Sequence, residues 1–157
     1  MSTKITTVYN TLNALVPTLT WSDAATKTKI IRPYAIDETP EHLLRNGWAL
    51  RDTGTDPEQE NQEFNKIVDR HSFEFVFTRE FLRQDDQTGI LDAAYLKLKE
   101  DMFVLRRELR RNSQLGIEAS LTEIELGAAS APTEVQAGRS VFLQVVCPFT
   151  IEVREDL

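Results

Sequence analysis

From Arg139 to Arg154 the chain alternates with a period of two. Val141, Leu143, Val145, Cys147, Phe149, Ile151 and Val153 share one parity, and Gln144, Thr150, Glu152 and Arg154 share the other. Because successive side chains of a strand point to opposite faces, this pattern describes a strand with one buried and one wet face. It runs for about thirteen residues against a usual strand of about five or six, which makes it the spine of an antiparallel sheet. Its apolar face then needs a helix or a neighbouring subunit to cover it.

Two further segments supply that cover, and others add strands. Ile5, Val8, Tyr9, Leu12, Leu15 and Val16 form a one-sided stripe that starts after a Ser2 or Thr3 cap and stops at Pro17, the pattern of an amphipathic helix. Leu91, Ala94, Leu98, Met102, Leu105 and Leu109 recur at intervals of three and four, which predicts a long helix from Ile90 to Asn112. Phe73, Phe75 and Phe77 alternate with Ser72, Glu74, Val76 and Thr78, a strand from Arg70 to Arg79 whose phenylalanines make a core wall. Burying one Leu or Phe is worth about 1.5 to 3 kcal/mol, so the long helix packed on this wall should dominate stability. Thr28 to Arg32 and Gly47 to Asp52 read as short strands, and Thr39-Pro40-Glu41 as the start of a brief helical turn ending at Asn46-Gly47.

Between Ile117 and Leu126 the apolar parity changes, so that strand is expected to bulge or switch face near Thr122-Glu123. Two segments carry no apolar periodicity, Thr53 to Asp69 and Gly127 to Gly138, and both are long for connections in a small domain. They are expected to be mobile loops in the isolated chain, ordered only by a partner, because ordering costs about 1 to 2 kcal/mol per residue and they bury little. At 157 residues and 41% hydrophobic content the whole of 1–157 reads as one domain, able to bury about two-thirds of its unfolded surface without disulfides or metals. The expected class is α+β, an antiparallel sheet with the long helix and the N-terminal helix packed on one face.

Charge and motif content narrow the chemistry. A net charge of -7 and a pI near 4.9 oppose non-specific nucleic-acid binding, and no direct sequence-specific binding is expected. The single cysteine, Cys147, lies on an apolar strand face, the place of a buried structural thiol rather than a nucleophile. No run approaches the roughly twenty apolar residues of a membrane span, so no membrane association and a cytosolic site of synthesis are expected. His42 and His71 stand apart with no ligand spacing, so no metal is expected. Asp56, Glu58, Glu60 and Glu63 imitate a calcium loop, but Asn61 takes the place of the turn glycine and Ile67 that of the closing acid. They read as a solvated acidic loop. With no phosphate loop, nucleophile elbow or triad spacing, no catalytic residue or cofactor is assigned, and an enzyme is not expected.

Arg106, Arg107, Arg110 and Arg111 close the long helix. One reading is a solvated helix end whose cations oppose the macrodipole. The other starts from Phe103: at about 100° per residue, Lys99, Phe103, Arg106 and Arg110 line one flank beside the core stripe. Aromatic plus arginine is the composition of an interface hot spot. Such a flank is complementary to acidic surface of the same chain, including Asp56, Glu58, Glu60 and Glu63, which invites head-to-tail contacts that close into rings. On this reading, reversing Arg106 and Arg110 to Glu should weaken association and leave stability almost unchanged.

In the order of these segments the chain resembles the tail terminator, or tail completion, proteins of long-tailed bacteriophages. The resemblance rests on the amphipathic opening helix, the strand pair Thr28 to Arg32 and Gly47 to Asp52, the Phe73-Glu74-Phe75-Val76-Phe77 strand, the long charged helix and the ending Val141-Phe142-Leu143-Gln144-Val145-Val146. It implies a structural virion protein, assembled in the host cytoplasm, that forms a six-membered ring on the last ring of the tail-tube protein. That ring would stop tube polymerisation and present a surface to the head-completion or neck protein. The resemblance assigns no individual residue. A neck or head-tail joining protein is the neighbouring reading, and a small cytosolic enzyme or a host-derived α+β binding module are readings of a different class.

Overall fold

Phe73, Phe75 and Phe77 stand on one face of a long strand, β3 (Lys66–Phe81), and the terminal strand, β6 (Ser140–Asp156), runs antiparallel beside it. The register sets Phe73 opposite Phe149, Phe75 opposite Cys147 and Phe77 opposite Val145, so the two apolar parities found in the sequence make one continuous wall. Phe149 stacks on both Phe73 and Phe75, at 5.8 and 5.5 Å between ring centroids. The computed structural model describes residues 4–21, 26–57, 66–81, 90–113, 115–116 and 122–156.

The fold is α+β, and the described residues form a six-stranded sheet. Its strand order is β1-β2-β3-β6-β4, and β5 lies beside β4 on the same edge of β6. The outer strands are β1 (Thr28–Lys29), β2 (Asn46–Pro57), β4 (Thr122–Leu126) and β5 (Thr133–Ala137). All pairings are antiparallel except that of β1 with β2, which is parallel, so the sheet is mixed at that edge.

On the phenylalanine face lie α1 (Lys4–Leu15) and α3 (Ile90–Arg111). Val8 and Leu12 of α1 and Ala94, Leu98, Met102, Leu105 and Leu109 of α3 are buried in one cluster with the wall. The predicted stripe is therefore the packed one; the side chain of Leu91, like the Ser2 and Thr3 cap, lies outside the described residues. A 3-10 turn, Val16–Thr18, follows α1 where Pro17 denies the helix its next donor.

The opposite face is not uniformly wet. Val76 of β3 and Phe142 of β6, both on the polar parity, are buried with Ile30, Ile36, Leu44, Ala49 and Ala137. The physical reason is local cover: the 3-10 turn Ile36–Glu38 and the short α2 (Glu41–Leu44) fold back over this end of the sheet. A strand's parity records which residues share a face, and tertiary cover decides whether that face meets water.

The two expected loops need correction. β2 runs on to Pro57 and β3 begins at Lys66, so 53–57 and 66–69 are strand, with a register shift between Asp52 and Gly54. Only 58–65 remains of that segment, outside the described residues. Their polarity misled because 53–57 are exposed on both faces, with Val68 on β3 buried alone of its neighbours, and backbone pairing needs no apolar alternation. The segment Gly127 to Gly138 holds β5, which returns to β6 through a two-residue turn with Gly138 at φ 59°. The bulge expected near Thr122-Glu123 is absent, since Thr122 to Leu126 pairs one for one with Val153 to Phe149, and the rest of that expected strand, 117–121, lies outside the described residues.

Pro148 explains why β4 and β5 are two strands rather than one. The carbonyl of Pro148 faces this edge, where it accepts from Gly127 N at 2.9 Å, and a residue's N–H points the same way as its carbonyl. Proline has no N–H to offer, so the ladder fails there and residues 127–132 leave it. Two residues along, Val146 O accepts from Ser130 N and Val146 N donates to Ser130 Oγ, both at 2.9 Å, which tacks the excursion back to the sheet. A Cβ on residue 127 would meet the Pro148 ring at 3.1 Å, so this crossing suits glycine.

Candidate functional site

The flank of α3 beside its core stripe faces this excursion. Lys99, Met102, Phe103 and Arg106 from the helix, Ala129, Ser130 and Ala131 from the excursion and Val145 from β6 line a cavity of about 420 Å³. Three of the residues expected at an interface, Lys99, Phe103 and Arg106, are thus brought together. Phe103 is 64% exposed, a large apolar ring at the rim, and the Arg107 guanidinium lies 5.9 Å from its centroid. Lys99 Nζ sits 5.4 Å from the Tyr95 ring. Arg110 and Arg111 are exposed in the last turn, where cations suit the helix dipole.

Arg106 behaves differently from its neighbours. It is only partly exposed, and its Nη1 donates to Gly127 O at 2.6 Å and lies 4.0 Å from Cys147 Sγ. It holds the start of the excursion against the helix, so the expectation that its charge reversal would leave stability unchanged does not fit its place. The Cys147 thiol is buried; burial pushes its pKa up, with the Arg106 charge and hydrogen bond pulling the other way. A buried thiol held protonated is a packing group, not a nucleophile.

On its other side α3 carries charges that the sequence reading passed over. Asp101 is buried between Leu98 and Leu105 of the apolar stripe. Its Oδ2 accepts from Lys27 Nζ at 2.6 Å and from Arg79 Nη2 at 3.2 Å. The side chains of Lys27 and Asp101 are 1% and 0% exposed. Lys27 Nζ also donates to Asn46 Oδ1 at 3.0 Å and lies 4.8 and 5.1 Å from the rings of Trp21 and Phe77. This cluster ties α3 to the lead-in of β1 and to the end of β3. A carboxylate at a core position of the stripe, and Arg79 on the parity of the three phenylalanines, were the available signals.

Asp56 is exposed on β2, opposite Arg70 in the ladder, and two strands separate it from the edge that bears the cavity. Glu58, Glu60 and Glu63 lie outside the described residues. Also missed from sequence were Leu96, 58% exposed on α3, and a turn after β1 with Ile31 74% and Tyr34 68% exposed. Tyr34 Oη accepts from Asp52 N at 2.8 Å, which caps an open donor on the β2 edge.

A second hollow, of about 430 Å³, lies on the opposite face between Thr53, Arg70, Ser72, Glu125, Pro148 and Thr150. Among the described residues no group of three or more His, Cys, Asp or Glu is placed to hold a metal ion, and no helix is long and apolar enough to cross a membrane. His71 is bonded to Thr55, Nδ1 to Oγ1 at 2.9 Å. No protein-family model matches the chain, and no curated protein matches it.

Proposed function

We propose that this chain is a non-enzymatic virion assembly protein of the tail-terminator kind, which caps a phage tail tube as a ring, hexameric by the resemblance, and offers its outer surface to a head-completion or neck protein. The observation that carries the reading is the exposed flank of α3, where Phe103 and three helix cations stand beside a cavity at one edge of the sheet. An aromatic ring under a guanidinium beside an open hollow suits a protein partner better than a small polar substrate. Rim ion pairs are each worth about 0 to 1 kcal/mol, so the free chain is expected to associate weakly and to close its ring on the tube.

Electron microscopy of purified tail tubes mixed with the protein tests this. Tubes of uniform length bearing an extra terminal ring are the expected result. Tubes whose lengths and ends ignore the protein would remove the tail-terminator reading, and binding to portal-bearing heads alone would transfer the protein to the neck.

A further inference from the structure

The sheet has two unlike edges. At one, β5 and the 127–132 excursion stand beside the α3 flank and enclose the cavity floored by Met102 and Val145. At the other, the turn after β1 projects Ile31 and Tyr34, two large side chains more than two-thirds exposed. Single exposed apolar residues are ordinary, but two within four residues at one turn form a knob, and the cavity at the opposite edge is a hollow able to take a side chain.

Charge divides the edges in the same sense. Around the knob lie the exposed acids Asp37, Glu38 and Asp52 against Lys29 and Arg32, and Arg32 is held by Glu38 at 2.7 Å. The hollow is lined by Lys99 and Arg106, with the Arg107 guanidinium 5.9 Å from the Phe103 ring, and among the described residues the exposed acids of the two elements that frame it are Glu100 and Glu134. Knob and hollow are thus complementary in both apolar character and charge, and they sit on opposite ends of one strand order.

We propose that the Ile31–Tyr34 turn of one copy docks in the hollow between α3 and residues 129–131 of the next copy, with Phe103 against the incoming side chains. This deepens the assembly reading and rests on it for the ring, since a contact between unlike surfaces at opposite edges is head-to-tail and either closes or propagates. The open backbone groups do not mediate it. Asp52 N is capped by Tyr34, the β2 edge is broken by the shift at Asp52 and Gly54, and β4 carries Glu123 and Glu125 on its exposed positions. Side chains, not an extended sheet, make the joint.

A chain carrying both Ile31→Cys and Ala131→Cys, treated with a short bis-maleimide at high protein concentration and low salt, alone and on tail tubes, tests the contact. Both positions are exposed, and Cys147 is buried. A covalent ladder reaching beyond dimer is expected from the double variant, with monomer only from either single variant. Adding Phe103→Asp should cut the ladder about tenfold, the effect of losing one anchor.

No ladder in either setting would overturn the proposal. So would dimers from Ile31→Cys or Ala131→Cys alone as abundant as those of the pair, because they would mean a two-fold contact. A ladder formed by a protein that leaves tube length unaltered supports the joint and removes the tail-terminator reading. Capped tubes that yield no ladder do the reverse.

Discussion

The two sides of α3 carry charges in opposite circumstances. Toward β1, Asp101 and Lys27 are sealed from water and joined by Arg79, whose side chain is 12% exposed; elsewhere on the helix Lys99, Arg107, Arg110 and Arg111 stand in solvent, Arg107 beside Phe103. The buried group is held by bonds of 2.6 and 3.2 Å to Asp101, and its desolvation makes the loss of that carboxylate costly. The exposed group costs little to keep and contributes little to the isolated chain, which leaves it available for contacts between molecules. On a single helix, burial rather than charge divides architecture from surface.

Asp101→Ala is the severest way to break this comparison. It removes the buried carboxylate that Lys27 and Arg79 share beside an apolar wall, and about 3 to 5 kcal/mol should be lost in denaturant unfolding. A loss below about 1 kcal/mol would mean that water reaches the cluster and that the two sides of the helix are alike.

Arg106 lies between the extremes and sharpens the contrast. Arg106→Glu removes a charged hydrogen bond to Gly127 O and sets a carboxylate against that carbonyl, so a loss of about 1.5 to 3 kcal/mol is expected. Arg110→Glu, one turn further on, should change stability by no more than about 0.5 kcal/mol. Equal melting temperatures for the two variants would return Arg106 to the solvated flank.

The smallest effect concerns a partly exposed charge with a defined structural task. Glu41 accepts from Arg139 N at 3.0 Å and Ser140 Oγ at 3.1 Å, and so clasps the β5–β6 turn; the bond from Arg139 N, then that from Ser140, holds its pKa below the ordinary 4.5. A carboxylate depressed in the folded state contributes above its ordinary pKa, and that contribution is lost as pH falls through the lower folded value. Protection of the Arg139 amide against hydrogen exchange should therefore fall in acid below that range, with Leu105 and Leu109 unaffected. In Glu41→Gln this acid step should disappear, and its persistence would assign the loosening to another group.

Much of this fold was legible because its largest elements are amphipathic over many residues. The parity of Val141 to Val153, the phenylalanine strand and the α3 stripe each repeat one preference often enough to override single exceptions. The distal ladder was not legible, since 53–57 are wet on both faces, 54–57 pair through backbone groups with 69–72, and the one buried side chain of 67–69, Val68, makes no apolar rhythm. At the candidate site, Lys99 and Phe103 were placed on the right flank by helical spacing, whereas the wall that faces them is a run of Ala and Ser without any pattern. The knob at Ile31 and Tyr34 gave no signal because a short turn has no period.

The sequence by itself determined which residues share a face, because the periods of 2.0 and 3.6 are properties of the local backbone. It thereby settled the α+β class, the stripe of α3 and the buried place of Cys147. Tertiary structure alone decided which of those faces meets water: that α2 covers Val76 and Phe142, that Asp101 on a core stripe finds Lys27 from 74 residues away, and that Arg106 turns inward to Gly127. Burial and partnership depend on segments distant in the chain, and no local period carries that information.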